Sequence, residues 1–205
     1  MRAALTFDTE HPDRPAQPGG TERVLDSLNS AGVRATFFVQ GRWAEAYPSV
    51  ARSIAAAGHV IGSHSHYHAR MTSLTDAGIA SDLSSAEKAI RRWAGADPRP
   101  WFRFPFGDGA ADERLLGALT TAGYRHVGWH VDGLDWRPGT RSGPLAQAVA
   151  DGVERVGDGA IVLLHAWPTP TAPAVERIAA EARARGIELV TVDELPGGPV
   201  SSLPW

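Results

Sequence analysis

Seven short apolar runs recur along the chain, each separated from the next by a longer amphipathic stretch, and this alternation restricts the possible folds more than any other feature. The runs are "AALTF" (3–7), "RATFFV" (34–39), "HVIGS" (59–63), "WFRF" (101–104), "YRHVGWHV" (124–131), "AIVLLH" (160–165) and "IELVTV" (187–192). Between them, "TERVLDSLNSAG", "PSVARSIAAAG" and "DERLLGALTTAG" carry helical spacing. Each of the three ends in glycine, as helix C-termini often do, and the second opens on proline, which suits a first helical turn. Repeated strand–helix alternation predicts an α/β fold built on a parallel sheet. The runs are mostly apolar on both faces, as strands buried between helices or inside a barrel should be. An open or incomplete (β/α) barrel is the expected architecture. The chain has 205 residues, 43% of them hydrophobic, which suits one sizeable core rather than two. A single domain over residues 1–205 is therefore expected, closing in the turn-rich tail "LPGGPVSSLPW".

Charge and composition exclude several classes of function. A net charge of −3 and a pI near 6.2 give no electrostatic footprint for nucleic acid or an anionic membrane. With no cysteine, neither a disulfide nor a thiolate site is possible. The opening "MRAALTFDTEHP" lacks the basic, apolar and small-residue regions of a secretory signal. Nor does any stretch approach the roughly 20 apolar residues that span a bilayer. Taken with Met1 as the natural start, the chain reads as cytoplasmic.

In parallel α/β folds, ligands bind at the C-terminal ends of the strands. The residues delivered there are Asp8 and Glu10 after the first run, His64 to His68 after the third, and Arg103 in the fourth. Asp132 and Asp135 follow the fifth run, and His165 closes the sixth. The segment "GSHSHYHAR" (62–70) sets three histidines in five positions. His64 and His68 are four apart, so a helical turn would put both on one face, as in HExxH metal motifs. His66 then points elsewhere and reads as a structural histidine. A hydrolytic metal needs a further, preferably anionic ligand and an open position for water. Asp8 and Glu10 alternate on an extended segment and so project to the same side. One can bind the metal while the other stays free as a base.

The blocks "LTFDTE", "ATFFVQG", "HSHYH", "RFPFG", "VDGLDW" and "IVLLH", in this order from residue 5 to residue 165, resemble the polysaccharide deacetylase family, the NodB-homology domain of carbohydrate esterase family 4. The resemblance implies a distorted, TIM-like (β/α)7 barrel that hydrolyses N-acetyl, and sometimes O-acetyl, groups on glycans. It implies a divalent metal, zinc first, with cobalt, nickel or manganese as substitutes. Under it, Asp8 is the catalytic base, paired with Arg103, and His64 and His68 are metal ligands. Asp135 orients His165, the general acid, and Trp136 forms the adjoining pocket wall. A backbone N–H near Phe106 would help to hold the oxyanion, and Trp167 is a second aromatic candidate for the pocket. Two positions depart from the family pattern. Thr9 stands where a second aspartate usually binds the metal, which makes Glu10 the expected third ligand, with His11 or Asp13 as substitutes. Ala166 stands where an aspartate often follows the last histidine. Asp132 is read either as orienting loops or substrate or as a structural hydrogen-bonding residue.

The leading expectation is thus a metal-dependent amide hydrolase acting on an N-acetylated sugar or polysaccharide. A rival keeps the site and changes the substrate to a small cyclic amide or imide, or an acetylated metabolite, as in allantoinase-like or imidase-like relatives; the absence of an export signal favours it. A third reading is a non-catalytic glycan-binding relative. Against it, both the base Asp8 and the acid His165 are present.

Overall fold

The computed structural model describes residues 1–10 and 18–195. Its strands are β1 (Arg2–Asp8), β2 (Thr36–Val39), β3 (Val60–Ser63), β4 (Trp101–Phe102), β5 (Arg125–His126), β6 (Val131–Asp132), β7 (Ala160–His165) and β8 (Glu188–Val190). They form one curled parallel sheet in the order β5-β4-β3-β2-β1-β7-β6. β1 lies inside the sheet and is paired on both sides. On one side it pairs with β7 from Ala3 to Asp8, and on the other with β8 at Arg2–Ala4 and β2 at Thr6–Asp8.

The three sequence stretches with helical spacing form α1 (Gly20–Ala31), α3 (Pro48–Ala56) and α5 (Glu113–Thr121). Pro48 begins α3, and Gly32 ends α1 in the left-handed conformation. The remaining helices are α2 (Gly41–Ala46), α4 (Asp76–Trp93), α6 (Ser142–Val156) and α7 (Thr171–Ala184). No helix among the described residues is long and apolar enough to cross a membrane.

The two-residue period of the strands sorts each run into an outer and an inner face. Leu5, Phe7, Phe37, Val39, Val162 and Leu164 face outward and pack with Val24, Leu28, Ile54, Val149, Val175 and Ile178 of the helices. Each such Leu, Ile or Phe contributes roughly 1.5–3 kcal/mol by leaving water. The alternate positions Ala4, Phe38 and Ile161 face inward, into a smaller apolar cluster with Val127, Val190 and Val192. Counting on by two along each strand brings Asp8, His64, Asp132 and His165 onto the inner face at the C-terminal rim, all four in one cavity wall.

One run departs from its expected form. "YRHVGWHV" is two short strands, not one: β5 pairs with β4 and β6 pairs with β7. They are the two edges of the sheet, and no pairing between β5 and β6 joins them. The chain itself bridges the gap, with Val127 N–H donating to Phe102 O at 2.7 Å and His130 N–H to Ile161 O at 2.8 Å. The barrel is therefore distorted and open, completed by a connecting segment where a seventh ladder would have stood.

Candidate active site

At the C-terminal rim a cavity of about 510 Å³ gathers Asp8, Glu10, His64, His68 and His165 against the rings of Phe106, Trp129 and Trp136. Asp132 and Leu163 complete its wall. Arg103 and Asp135 stand directly behind it, each bonded to a wall residue. Trp167 does not line the cavity, contrary to expectation; its ring lies 6.0 Å from that of His165. His11 and Asp13 lie outside the described residues.

On one side the site is built from Asp8 and Arg103. Arg103 is fully buried, and its Nη1 donates to Asp8 Oδ1 at 2.9 Å. Its Nε donates to Val127 O at 3.1 Å and its Nη2 to Gly128 O at 3.0 Å, so the guanidinium also ties down the segment that bridges the sheet edges. Its Cζ lies over the Phe38 ring, 4.1 Å from the ring centroid. Only a planar fork of donors can meet a carboxylate and two carbonyls at once. Burial lowers the pKa of Arg103 from its ordinary value, and the Asp8 charge opposes that shift.

His64 is oriented from the same strand end. Its Nδ1 lies 2.9 Å from Arg103 O; a carbonyl can only accept, so Nδ1 carries the proton. In the neutral ring Nε2 then presents its lone pair to the cavity, 3.5 Å from Asp8 Oδ2. His68 joins it with ring centroids 4.9 Å apart. A helical turn does not bring the pair together. Residues 64–68 form a bend in which Ser65 (φ 64°) and His68 (φ 56°) are left-handed. Ser65 Oγ accepts the His68 N–H at 2.8 Å. Asp82, buried on α4, takes the N–H groups of His66 at 2.9 Å and Tyr67 at 3.1 Å, one on each carboxylate oxygen. His66 itself is buried against α2, so close that a Cβ on Gly41 would come within 2.3 Å of its Nδ1. Glycine is required there, and His66 is indeed turned away from the cavity.

On the other side stands the pair His165 and Asp135. The turn "DGLDW" after β6 sets it: Asp132 Oδ1 accepts the Leu134 N–H at 2.8 Å, and Gly133 N–H donates to Leu163 O at 2.9 Å. A Cβ at Gly133 would meet Leu164 Cδ2 at 2.5 Å and Leu163 O at 3.1 Å, so only glycine lets the turn lie this close to β7. Asp135 Oδ1 is then 2.8 Å from His165 Nδ1, while Oδ2 accepts the His165 backbone N–H at 2.8 Å and the Thr171 hydroxyl at 2.6 Å. Burial alone would lower the pKa of His165. The Asp135 hydrogen bond and the charges of Asp135, Asp8 and Glu10 outweigh it, and the net shift is upward. Its Nε2 faces the cavity 3.4 Å from Glu10 Oε1.

Thr9 is buried with its hydroxyl accepting the Gln40 N–H at 3.0 Å, and it is absent from the cavity wall, whereas Glu10 is part of that wall. Among the described residues no three His, Asp or Glu side chains stand together as a ready-made metal group. The donor types nonetheless fit a divalent cation: two imidazoles, at least one with its lone pair turned inward, beside a carboxylate. Trp129, Thr171 and Asp82 were not foreseen. Trp129 sat in an apolar run read as continuous strand. Thr171 and Asp82 lie on helices, and nothing local to them announces a partner 36 or 16 positions away.

A family model described as polysaccharide deacetylase matches residues 1–127. A peptidoglycan-N-acetylglucosamine deacetylase of Bacillus cereus is 30% identical over 199 residues, covering 94% of this chain and 67% of that protein. Among solved structures, a family 4 carbohydrate esterase from Streptomyces lividans, in complex with acetate, superposes with a TM-score of 0.83 at 32% identity, covering 97% of this chain and 96% of the other. A family 4 acetyl xylan esterase from Clostridium thermocellum, in complex with a cobalt ion, matches with a TM-score of 0.83 at 31% identity over 98% and 97% of the two chains.

Proposed function

The chain belongs to the polysaccharide deacetylase family, and from that premise we propose that it hydrolyses the amide of an N-acetylated sugar unit in a glycan, releasing acetate and a free amine. The observation that carries this reading is a cavity with two separately buttressed groups facing into it, Asp8 backed by Arg103 and His165 backed by Asp135. Amide hydrolysis needs that division, because one group must take a proton from water while another gives one to a poor leaving nitrogen. The names of the Bacillus cereus and Streptomyces lividans relatives support the reaction class, and the former supports an N-acetylglucosamine unit.

His64, His68 and Glu10 are the residues that would hold a divalent cation, zinc in the first instance, which when bound supplies Lewis acidity at the acetyl carbonyl and lowers the pKa of a water. The cobalt ion in the Clostridium thermocellum structure supports a divalent metal. Asp8 has one oxygen committed to Arg103; its Oδ2 receives the proton of the attacking water. His165, tethered through Nδ1, delivers a proton from Nε2 to the departing nitrogen. The Phe106 backbone N–H is assigned to the developing oxyanion and Trp136 to the face of the sugar ring.

The test is release of acetate and free amine from chito-oligosaccharides, run beside acetylated xylan and a panel of cyclic imides, with metal content measured in parallel. Wild type is expected to release acetate and amine in equal amounts. Asp8→Asn should keep the metal and lose about 10²- to 10⁴-fold in kcat. Glu10→Ala should lose metal. Turnover of the imides alone would overturn the substrate, and full metal content in Glu10→Ala would overturn its place as third ligand.

A further inference from the structure

We infer that Thr171, which touches no substrate, is a positioning residue for the proton-donating half of the site: its hydroxyl locks the Asp135 carboxylate in the orientation that holds the His165 ring. The inference rests on the reading of His165 as proton donor.

Asp135 is 1% exposed and Thr171 is 0% exposed, so water has no access to replace either partner. A carboxylate only accepts, so the 2.6 Å contact is a hydrogen bond from Thr171 Oγ1 to Asp135 Oδ2. The same Oδ2 takes the His165 backbone N–H at 2.8 Å, and Oδ1 faces His165 Nδ1 at 2.8 Å. Without the hydroxyl, both remaining bonds come from a single residue at the end of β7, so the carboxylate and the His165 ring can shift together. With it, a second element fixes the carboxylate plane.

That element is rigid. Thr171 is the first residue of α7, its own N–H already donates to Pro168 O at 3.2 Å, and the helix is anchored in the outer core through Ala174, Val175 and Ile178. The hydroxyl thus transmits the position of a packed helix to the imidazole through one carboxylate. Neither charge nor size is asked of the residue, only a donor at that place.

The test compares Thr171→Val, which keeps the shape and removes the donor, with Thr171→Ser, which keeps the donor. Thr171→Val is expected to lower kcat about 10- to 100-fold, the scale of a small misplacement of a reacting group, with KM within about twofold. Thr171→Ser should recover to within about threefold of wild type. Because the effect runs through Asp135, adding Thr171→Val to Asp135→Ala should cost nothing further. Thr171→Ala replaces the valine variant should that fail to fold. A readout independent of turnover is the Nδ1–H resonance of His165 in protein labelled with ¹⁵N-histidine, expected to shift in Thr171→Val and to return in Thr171→Ser. Wild-type kcat and an unmoved resonance in Thr171→Val would overturn the inference. So would a serine variant as slow as the valine one, or equal losses in the wild-type and Asp135→Ala backgrounds. If wild type hydrolyses no substrate in the panel, the hydrolase reading falls, while the resonance still decides the role of Thr171.

Discussion

At the scale of single residues, Arg103 shows how a site side chain can also be a structural one. Its guanidinium satisfies Asp8 and two main-chain carbonyls inside the protein. Replacing it by methionine leaves a buried carboxylate without its cation, and a loss of about 3–5 kcal/mol in urea unfolding is expected. Arg103→Lys keeps the charge but lacks the fork, leaving at least one carbonyl without a donor. A loss of about 1–3 kcal/mol is expected, together with a fall in kcat, so the two variants separate charge from geometry. The pairing of Arg103 with Asp8 was expected from the family pattern. Its bonds to Val127 and Gly128 were not, because a fully buried arginine recruits whatever carbonyls the fold leaves unpaired, and those belong to the segment that breaks the fifth run.

At the scale of elements, the strand ends do the positioning, and two of them make distinct predictions. Gly133→Ala would place a methyl 2.5 Å from Leu164 Cδ2 and 3.1 Å from a backbone oxygen, forcing the "DGLDW" turn away from β7. Asp135 would move with it, and kcat should fall at least about tenfold with substrate affinity retained, as measured by steady-state kinetics. Asp82→Asn turns one acceptor oxygen into a donor facing a backbone N–H, loosening the bend between His64 and His68. Cation affinity, read by competition titration with a chromogenic chelator, should drop about 10- to 100-fold. Unchanged affinity would show that the bend holds without α4. The helices α1, α3 and α5 were legible because period, proline and terminal glycine act within a dozen residues. The histidine bend was not: its spacing imitates a helix, while its conformation depends on a carboxylate from α4.

At the scale of the whole molecule, three histidines outside the cavity are held neutral by the fold. His59 and His130 accept backbone N–H groups at 3.2 and 3.0 Å, and burial lowers the pKa of each. Burial, reinforced by the Arg103 charge, brings His126 down from 6.5 to about 4. Below pH 6.5 the unfolded chain takes up a proton that folded His126 refuses until about pH 4, so stability is lost as pH falls through that window. From pH 7 to pH 5 His126 alone accounts for about 2 kcal/mol. His165, with its pKa raised, acts with the opposite sign, as do Asp82 and Asp132 in their own acid range. The difference between wild type and His126→Leu in urea midpoints at the two pH values therefore isolates the histidine; equal pH slopes would refute the assignment. The parallel α/β class, helices α1, α3 and α5, and the rim of polar residues could be read without coordinates, since period, capping and strand parity are local rules that repeat along the chain. Where the barrel opens, how two histidines share a face without a helix, and which helix residues brace Asp135 and the histidine bend could not. Those outcomes depend on which strand edges meet and which donors are left over after packing, and both are settled only when segments distant in sequence compete for the same buried space.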